Sequence, residues 1–463
     1  MNNNNNSSKK NSLLLAAGPL GAYFLIYIMN QQDVSSAAAI TAGITYWCAL
    51  WWIFEPVPIP FTSMLPLALF PLLGVLDAKQ VGQAYGHWLI LLLMGGFMIS
   101  GAMAKSGAHR RIALQMLRLF GTTSALRLVL GFMAASALLS MWISNTATTL
   151  MLLPVALAIL ERAQSRLAIP LLLGIAYAAS VGGMGTPIGT PPNLIFMSVY
   201  SEQIGNEPTF IEWMGWGIPV VVVMVPLMAL WLTRSLKLTQ PIELPLPGKW
   251  RPEEIRVMSV FSLTAILWIT RTAPFGGWRE WLQLPGANDA SVAMLAVVVL
   301  AMINDGRGGR LLDWDTARKI PWGVLILFGG GICIASAFVE SGLADLLAAK
   351  LGMLADVPVW LLLLGVCLSV TFLTEITSNT ATASLLMPLL AATAVGAGID
   401  PKLLMVPAAM SASCAFMLPV ATAPNAIIYG SGRVTVARMA REGLVLNLIG
   451  ALVISSFSYW FFV

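Results

Sequence analysis

Ser144-Asn145-Thr146-Ala147-Thr148 reads SNTAT, and Ser378-Asn379-Thr380-Ala381-Thr382 reads SNTAT again. Each copy is followed, ten residues after its serine, by a proline, Pro154 and Pro388. A second matched element comes after each: Gly189-Thr190-Pro191-Pro192-Asn193 in the first half, Ala421-Thr422-Ala423-Pro424-Asn425 in the second. Small polar clusters, duplicated in order inside apolar sequence, point to one binding site built from two halves of a repeat.

The surrounding chain is a membrane protein's. Of its 463 residues 58% are hydrophobic and only 10% are charged, and mean hydropathy is +0.81. A soluble chain of this length needs more charge to cover its surface. Many apolar stretches reach the roughly 20 residues that span a bilayer as helix, and strands of a membrane barrel would show alternation instead. The fold class expected is therefore an all-α polytopic membrane protein. The net charge of +5 sits in short loops beside apolar segments and gives no reason to expect nucleic acid. Cys48, Cys333, Cys367 and Cys414 lie within apolar runs without metal-ligand spacing, as small packing residues do. The sequence holds no HExxH, P-loop or GxSxG motif, and His87 and His109 are remote from both SNTAT copies. With no nucleophile–base pair in sight, an enzyme is not expected. The Asn/Ser/Lys-rich start, residues 1–12, is expected to be a disordered tail. The run Leu13–Met29 lacks a small-residue cleavage site after it and reads as a retained helix.

Two apolar runs, 128–160 and 358–396, are too long for one crossing and carry the SNTAT motifs near their centres. Each suits a re-entrant hairpin that turns at its polar middle, which is tolerated only where protein or a wet cavity surrounds it. Loop charges agree. With Lys9 and Lys10 inside, and two hairpins counted, Arg110, Arg111, Arg118, Arg127, Arg162 and Arg166 fall inside. So do Arg234, Lys237, Lys249, Arg251, Arg256, Arg307, Arg310, Arg318, Lys319, Arg433, Arg438 and Arg441. The outside loops hold Arg271, Arg279, Lys350 and Lys402, while Ser201–Glu212 has no Lys or Arg. This count gives eleven spanning helices plus two hairpins, the first opening to the cytoplasm and the second to the outside. Trp88–Gly107 and Trp322–Gly342 also match, through Gly95-Gly96 with Gly329-Gly330 and Ser106-Gly107 with Ser341-Gly342. Charge bias runs them in opposite directions, so an inverted-topology repeat is expected, with substrate bound near the midplane between broken helices.

A hairpin tip leaves one helix N-terminus, which favours an anion, opposite a helix C-terminus whose free carbonyls favour a cation. The Thr-Pro-type elements free further carbonyls. No Arg or Lys is among the candidates, so an anion at low dielectric needs co-bound cations. Oxygen-only ligands suit a hard ion such as sodium, and the repeat implies at least two such sites. Serine and threonine in membrane helices ordinarily bond their own backbone or help helices pack; one SNT would read that way, but two in matched context do not. Glu375, an acid inside an apolar run, reads either as a structural clamp or as a proton-linked group. Gly95-Gly96 and Gly329-Gly330-Gly331 read as close-packing sites, and Trp51, Trp52, Trp278, Trp281 and Trp460 as interfacial anchors.

Paired SNT motifs, each followed by a Thr-Pro-type element, resemble the divalent anion/sodium symporter family, and the resemblance covers nearly the whole chain. It implies sodium-coupled uptake of a dicarboxylate such as succinate, with sulfate or a tricarboxylate such as citrate, or sodium-independent exchange, as alternatives. An anion channel is the rival from another class. It also implies an inner-membrane homodimer with elevator-type scaffold and transport domains, the N-terminus cytoplasmic and the C-terminus periplasmic. Scaffold helices would occupy 13–127 and 238–346, and transport halves 128–237 and 347–463. Carried over by position, Ser140, Ser144, Asn145 and Gly189 would hold one sodium ion, and Thr374, Thr377, Asn379 and Ala421 another. Asn145, Thr146, Thr190, Asn379, Thr380 and Thr422 would contact the substrate. Ala423 stands where the first half has Pro191, so the second helix break is expected to be looser. Thr377 replaces a small apolar residue, which a backbone-carbonyl ligand would tolerate.

Overall fold

The computed structural model describes residues 2–32, 34–161, 165–205, 207–236, 248–351 and 358–463. Arg162, Lys237 and the junction at 237/238 lie outside the described residues. The chain begins with α1 (Asn2–Asn30), α2 (Ser36–Phe54), α3 (Ile59–Thr62), α4 (Leu65–Leu72), α5 (Ala78–Tyr85), α6 (Trp88–Ser106) and α7 (Ala108–Phe120). It continues with α8 (Ala125–Ser140), α9 (Asn145–Leu160), α10 (Ala168–Gly182), α11 (Pro191–Ile204), α12 (Phe210–Thr233), α13 (Pro252–Ile269), α14 (Gly277–Trp281), α15 (Asp289–Met302) and α16 (Trp314–Ala317). The remainder is α17 (Trp322–Glu340), α18 (Leu343–Leu351), α19 (Val359–Thr374), α20 (Asn379–Gly396), α21 (Lys402–Ser411), α22 (Ala423–Gly430) and α23 (Val436–Phe462).

Eight described helical stretches are long and apolar enough to cross a membrane, and six further apolar helices have only 10–17 residues. The short ones include α8, α9, α19 and α21, which flank the polar motifs. Their brevity follows from the sequence: polar motifs and prolines divide long apolar runs that would otherwise continue as helix. One expectation is corrected. α1 starts at Asn2, so the tail expected to be disordered has helical backbone. Residues 2–12 contain neither Pro nor Gly, and once Leu13–Met29 is helical, each added residue needs only propagation. Trp52 is also no interfacial anchor: it is buried, and its indole N–H donates to Ser63 Oγ at 3.0 Å.

The same packing arrangement occurs twice. α10 rests on α8 and α9, and α12 covers α8 and α10; likewise α21 rests on α19 and α20, and α23 covers α19 and α21. α12 and α23 join the two groups. The exchange is reciprocal at the breaks: α9 packs against α22 and α20 against α11. Helix α10 is the centre of this core, 94% of its span being buried. A methyl at its Gly182 would lie 2.4 Å from Ala137 Cα, so α8 and α10 meet backbone to backbone. Around this core stand α6, α13 and α15, which pack together, and α17, which packs on α2–α6. The paired glycines serve close approach as expected: a methyl at Gly95 would meet Ala293 Cβ at 2.7 Å, and one at Gly330 would meet the Ser63 carbonyl at 2.8 Å.

Candidate functional site

Four helix breaks carry the candidate residues. The first SNTAT lies where α8 stops at Ser140 and α9 starts at Asn145; the second lies where α19 stops at Thr374 and α20 starts at Asn379. The Thr-Pro-type elements interrupt the other two, with α11 starting at Pro191 and α22 at Ala423. Four N-termini and four C-termini are thereby freed inside apolar protein. This leaves backbone N–H groups that can receive an anion and carbonyls that can receive a cation.

At each SNTAT three oxygens converge. Ser140 Oγ lies 2.6 Å from the Ala179 carbonyl oxygen and in direct contact with Asn145 Oδ1. Thr374 Oγ1 lies 2.7 Å from Asn379 Oδ1 and 3.0 Å from the Ala412 carbonyl oxygen. A hydroxyl has one proton, so it can satisfy one of its two acceptors at a time. Ser140 and Thr374 are fully buried, and an electron-rich cluster at low dielectric is stabilised by a hard cation. Gly189 joins the first cluster: a methyl on Gly183 would stand 3.0 Å from the Gly189 carbonyl oxygen and 3.1 Å from Asn145 Oδ1. Both oxygens therefore face one small space, held open because residue 183 has no side chain.

The remaining candidates take several roles. Ser144 caps α9, its Oγ accepting from Ala147 N at 3.2 Å; Ser378 makes no equivalent side-chain cap. Thr146 and Thr380 sit in the first turns of α9 and α20. Thr190 and Thr422 immediately precede α11 and α22, and Thr422 Oγ1 accepts from Asn425 N at 3.2 Å. The Thr377 hydroxyl turns into its own hairpin, donating to the Leu373 carbonyl at 2.9 Å and meeting Thr382 Oγ1 at 2.5 Å. Its side chain is thus engaged within its own hairpin. Ala421 is buried in the break between α21 and α22.

Three features were not singled out as site residues. Asn193 Nδ2 donates to the carbonyls of Gly183 (2.9 Å) and Thr186 (2.8 Å). Asn425 Nδ2 donates to those of Ala415 (2.9 Å) and Leu418 (3.0 Å). These asparagines staple both breaks the same way, and the matched Pro-Asn ends of the repeat were the available signal. Gly183 had no such signal, because Ala415 occupies its place in the second half. Glu375 is a clamp: Oε1 accepts from the backbone N–H groups of Phe416 (2.6 Å) and Met417 (2.9 Å), and Oε2 from that of Leu418 (3.0 Å).

Replacing Asn193 or Asn425 by Ala is expected to strand one buried carbonyl each time, that of Gly183 or Ala415, while Thr186 and Leu418 keep a backbone donor from Gly189 and Ala421, destabilising the protein by about 1–3 kcal/mol. Thermal unfolding in detergent measures it. An unfolding midpoint equal to that of the parent in both variants would contradict the staple.

The two halves differ in exposure. The first break is packed: Ile188 is 9% exposed beside Gly96 of α6, and Trp142 at the first tip stacks on Phe210 and Trp268. At the second, Ile376 is 65% and Val420 84% exposed.

Long apolar helices interrupted by polar breaks mark a multi-pass membrane protein. Residues 49–404 match the citrate transporter family, CitMHS. A sodium-dependent dicarboxylate transporter, SdcS, of Staphylococcus saprophyticus is 39% identical over 94% of this chain and 88% of its own. SdcS of Staphylococcus aureus is 39% identical over 96% of this chain and 89% of its own. Two solved transporters share the fold at low identity. The YdaH transporter of Alcanivorax borkumensis has a TM-score of 0.59 at 17% identity, covering 86% of this chain and 88% of its own. MtrF of Neisseria gonorrhoeae has 0.61 at 15%, covering 85% and 84%. The chain belongs to the citrate transporter family and is one of the divalent anion/sodium symporters that its motifs resemble.

Proposed function

We propose that this protein couples sodium influx to uptake of a C4-dicarboxylate such as succinate. The observation that carries the reading is the duplicated cluster of Ser140, Asn145 and the Ala179 carbonyl, repeated as Thr374, Asn379 and the Ala412 carbonyl. Each cluster is a cation seat beside a helix N-terminus, so the two cations neutralise a dianion that lies between them. Ser140, Asn145 and Gly189 hold the first ion, with Ser144 at the tip. Thr374, Asn379, Ala421 and the Thr377 carbonyl hold the second. Asn145, Thr146, Thr190, Asn379, Thr380 and Thr422 meet the substrate carboxylates. The names of the SdcS relatives, sodium-dependent dicarboxylate transporters, support both ligands.

In this reading eleven helices span the inner membrane, counting α3–α4, α10–α11 and α21–α22 as one crossing each. The pairs α8–α9 and α19–α20 are re-entrant hairpins. Residues 13–127 and 238–346 form the scaffold of a homodimer, and 128–237 with 347–463 move against it as an elevator. The N-terminus is cytoplasmic and the C-terminus periplasmic. More than two sodium ions per dianion would make uptake electrogenic.

Proteoliposomes decide it. Succinate uptake is expected with an inward sodium gradient and to be absent when potassium replaces sodium; a rise with an inside-negative potential would reveal more than two sodium ions per dianion. Equal uptake in both cations would replace the symporter by an exchanger, and non-saturable uptake by a channel. The family's description as citrate transporters favours a tricarboxylate as second reading. Competition by citrate stronger than by succinate would establish it, and a panel including sulfate completes the test.

A further inference from the structure

Arg111 ties α7 to the start of α13. Its buried guanidinium donates to Glu254 Oε2 at 2.9 Å and to the carbonyls of Gly248 (2.5 Å) and Lys249 (2.6 Å), and it lies 4.7 Å from the centre of the Trp250 ring. The acids at this junction, Glu253 and Glu254, are taken up by Arg111, Arg251 and Arg307. Two cations are left over. Arg110 and Lys249 are exposed, and among the described residues neither has an acidic partner. Trp250 stands beside them, 43% exposed. Surplus cations with a tryptophan at the end of a membrane helix are the groups that hold a lipid headgroup at the bilayer surface.

Apolar space leads on from this patch. A cleft of about 470 Å³ along α13 is lined by Trp250, Ile255, Met258, Ser259 and Ser262. A second, of about 270 Å³, lies between α13 and the first hairpin, and Ile112, Leu138, Trp142, Met258 and Phe261 line it. Met258 borders both. Phe261 is nine residues beyond Pro252, the first of α13, or roughly 14 Å along the helix. That is about half of a bilayer's ~30 Å hydrocarbon core, the reach of an acyl chain in one leaflet. Left empty, such walls lose their dispersion contacts on one side, and apolar space gives water no partners. The repeat supplies a contrast: α18 follows Gly342 as α7 follows Gly107, and it has Asp345 in the place of Arg110. The basic surface belongs to the first half alone.

We propose that the clefts between α7, α8 and α13 bind an anionic phospholipid of the membrane. Arg110 and Lys249 receive its phosphate, Trp250 lies at the level of its glycerol, and one acyl chain passes Met258 to reach Trp142. The lipid thereby packs against the first hairpin three residues before Asn145, and the seating of that hairpin depends on the leaflet beside it. This site stands apart from the symport reading, since lipid binding does not require that any particular ion drive uptake.

Native mass spectrometry of the delipidated full chain in detergent tests it, with phosphatidylglycerol or phosphatidylcholine of the same acyl chains added. The parent is expected to retain phosphatidylglycerol about tenfold better. Arg110→Gln combined with Lys249→Gln should bring the two lipids level. Ser262→Trp fills the cleft and leaves both cations, and it should lower retention of both lipids severalfold. Equal retention of the two lipids by the parent overturns the proposal. So does a preference that survives both glutamines, or unchanged retention in Ser262→Trp. The three altered side chains are exposed, so unfolding midpoints near the parent's are expected. Should Ser262→Trp not accumulate, phosphatidylglycerol with a photoactivatable acyl chain decides on the parent. Its chain must label the segment holding Met258 and Phe261, and labelling elsewhere overturns the assignment.

Discussion

Asn145→Ala and Asn379→Ala are each expected to abolish sodium-dependent succinate uptake while the protein stays folded. Each carboxamide oxygen meets a buried hydroxyl, Ser140 or Thr374, and each residue opens a helix whose N-terminus, in the proposed site, would face the anion. In the proposed site, truncation would remove a cation ligand and a substrate contact together. A hydrogen bond to a charged group contributes about 1.5–3 kcal/mol, so losing both lowers uptake about a hundredfold to ten-thousandfold. Folding survives because the hydroxyl left behind still has a carbonyl to satisfy it, Ala179 or Ala412. Uptake in proteoliposomes, paired with unfolding midpoints in detergent, checks this. Uptake like the parent's in both variants would defeat the site assignment, and a collapsed midpoint would make these asparagines structural.

The second large effect concerns space. Gly183→Ala would place its methyl 3.0 Å from the Gly189 carbonyl oxygen, 3.1 Å from Asn145 Oδ1 and 3.2 Å from Thr190 Cβ. In the proposed first seat, that methyl would stand where a cation has to approach both oxygens. Gly189→Ala is worse sterically, with its Cβ 2.4 Å from the Gly183 carbonyl oxygen, a backbone atom that cannot swing aside. Displacing ligands by a fraction of an ångström to one ångström costs about a hundredfold in a process that depends on their alignment. Both variants are expected to lose uptake by about that factor, with a raised sodium requirement. The second half has Ala421 where the first has Gly189, so Ala421→Gly should cost at least about tenfold less than Gly189→Ala. Uptake by Gly183→Ala at the parent's sodium half-saturation would show that this space holds no ion.

The sequence placed all four breaks because each rests on strong local signals: a polar motif inside an apolar run, and prolines that cannot continue a helix. The repeat added what one motif lacks, a matched context. Ser140 and Thr374 came from the family resemblance, carried over by position, and both hydroxyls lie against the following asparagine. Gly183 was not legible, since its role depends on two segments meeting in space and its counterpart is Ala415. Glu375 was visible as an oddity, but its choice between clamp and proton carrier waited for the backbone of 416–418 to come within reach. Thr377 was placed by position, yet its hydroxyl follows the nearer partners, Leu373 and Thr382. The helical backbone of the N-terminal tail runs against its composition, because propagation from α1 outweighs weak polar propensity.

The central claim is that the two SNTAT tips jointly cage one dicarboxylate with sodium. Cryo-electron microscopy of the protein in sodium and succinate, compared with potassium alone, tests it most directly. The expected map has one elongated density touching both Asn145 and Asn379, flanked by compact densities against Ser140 and Thr374, all lost in potassium. Asn145 and Asn379 found too far apart to share a four-carbon molecule, or succinate density elsewhere, would contradict it.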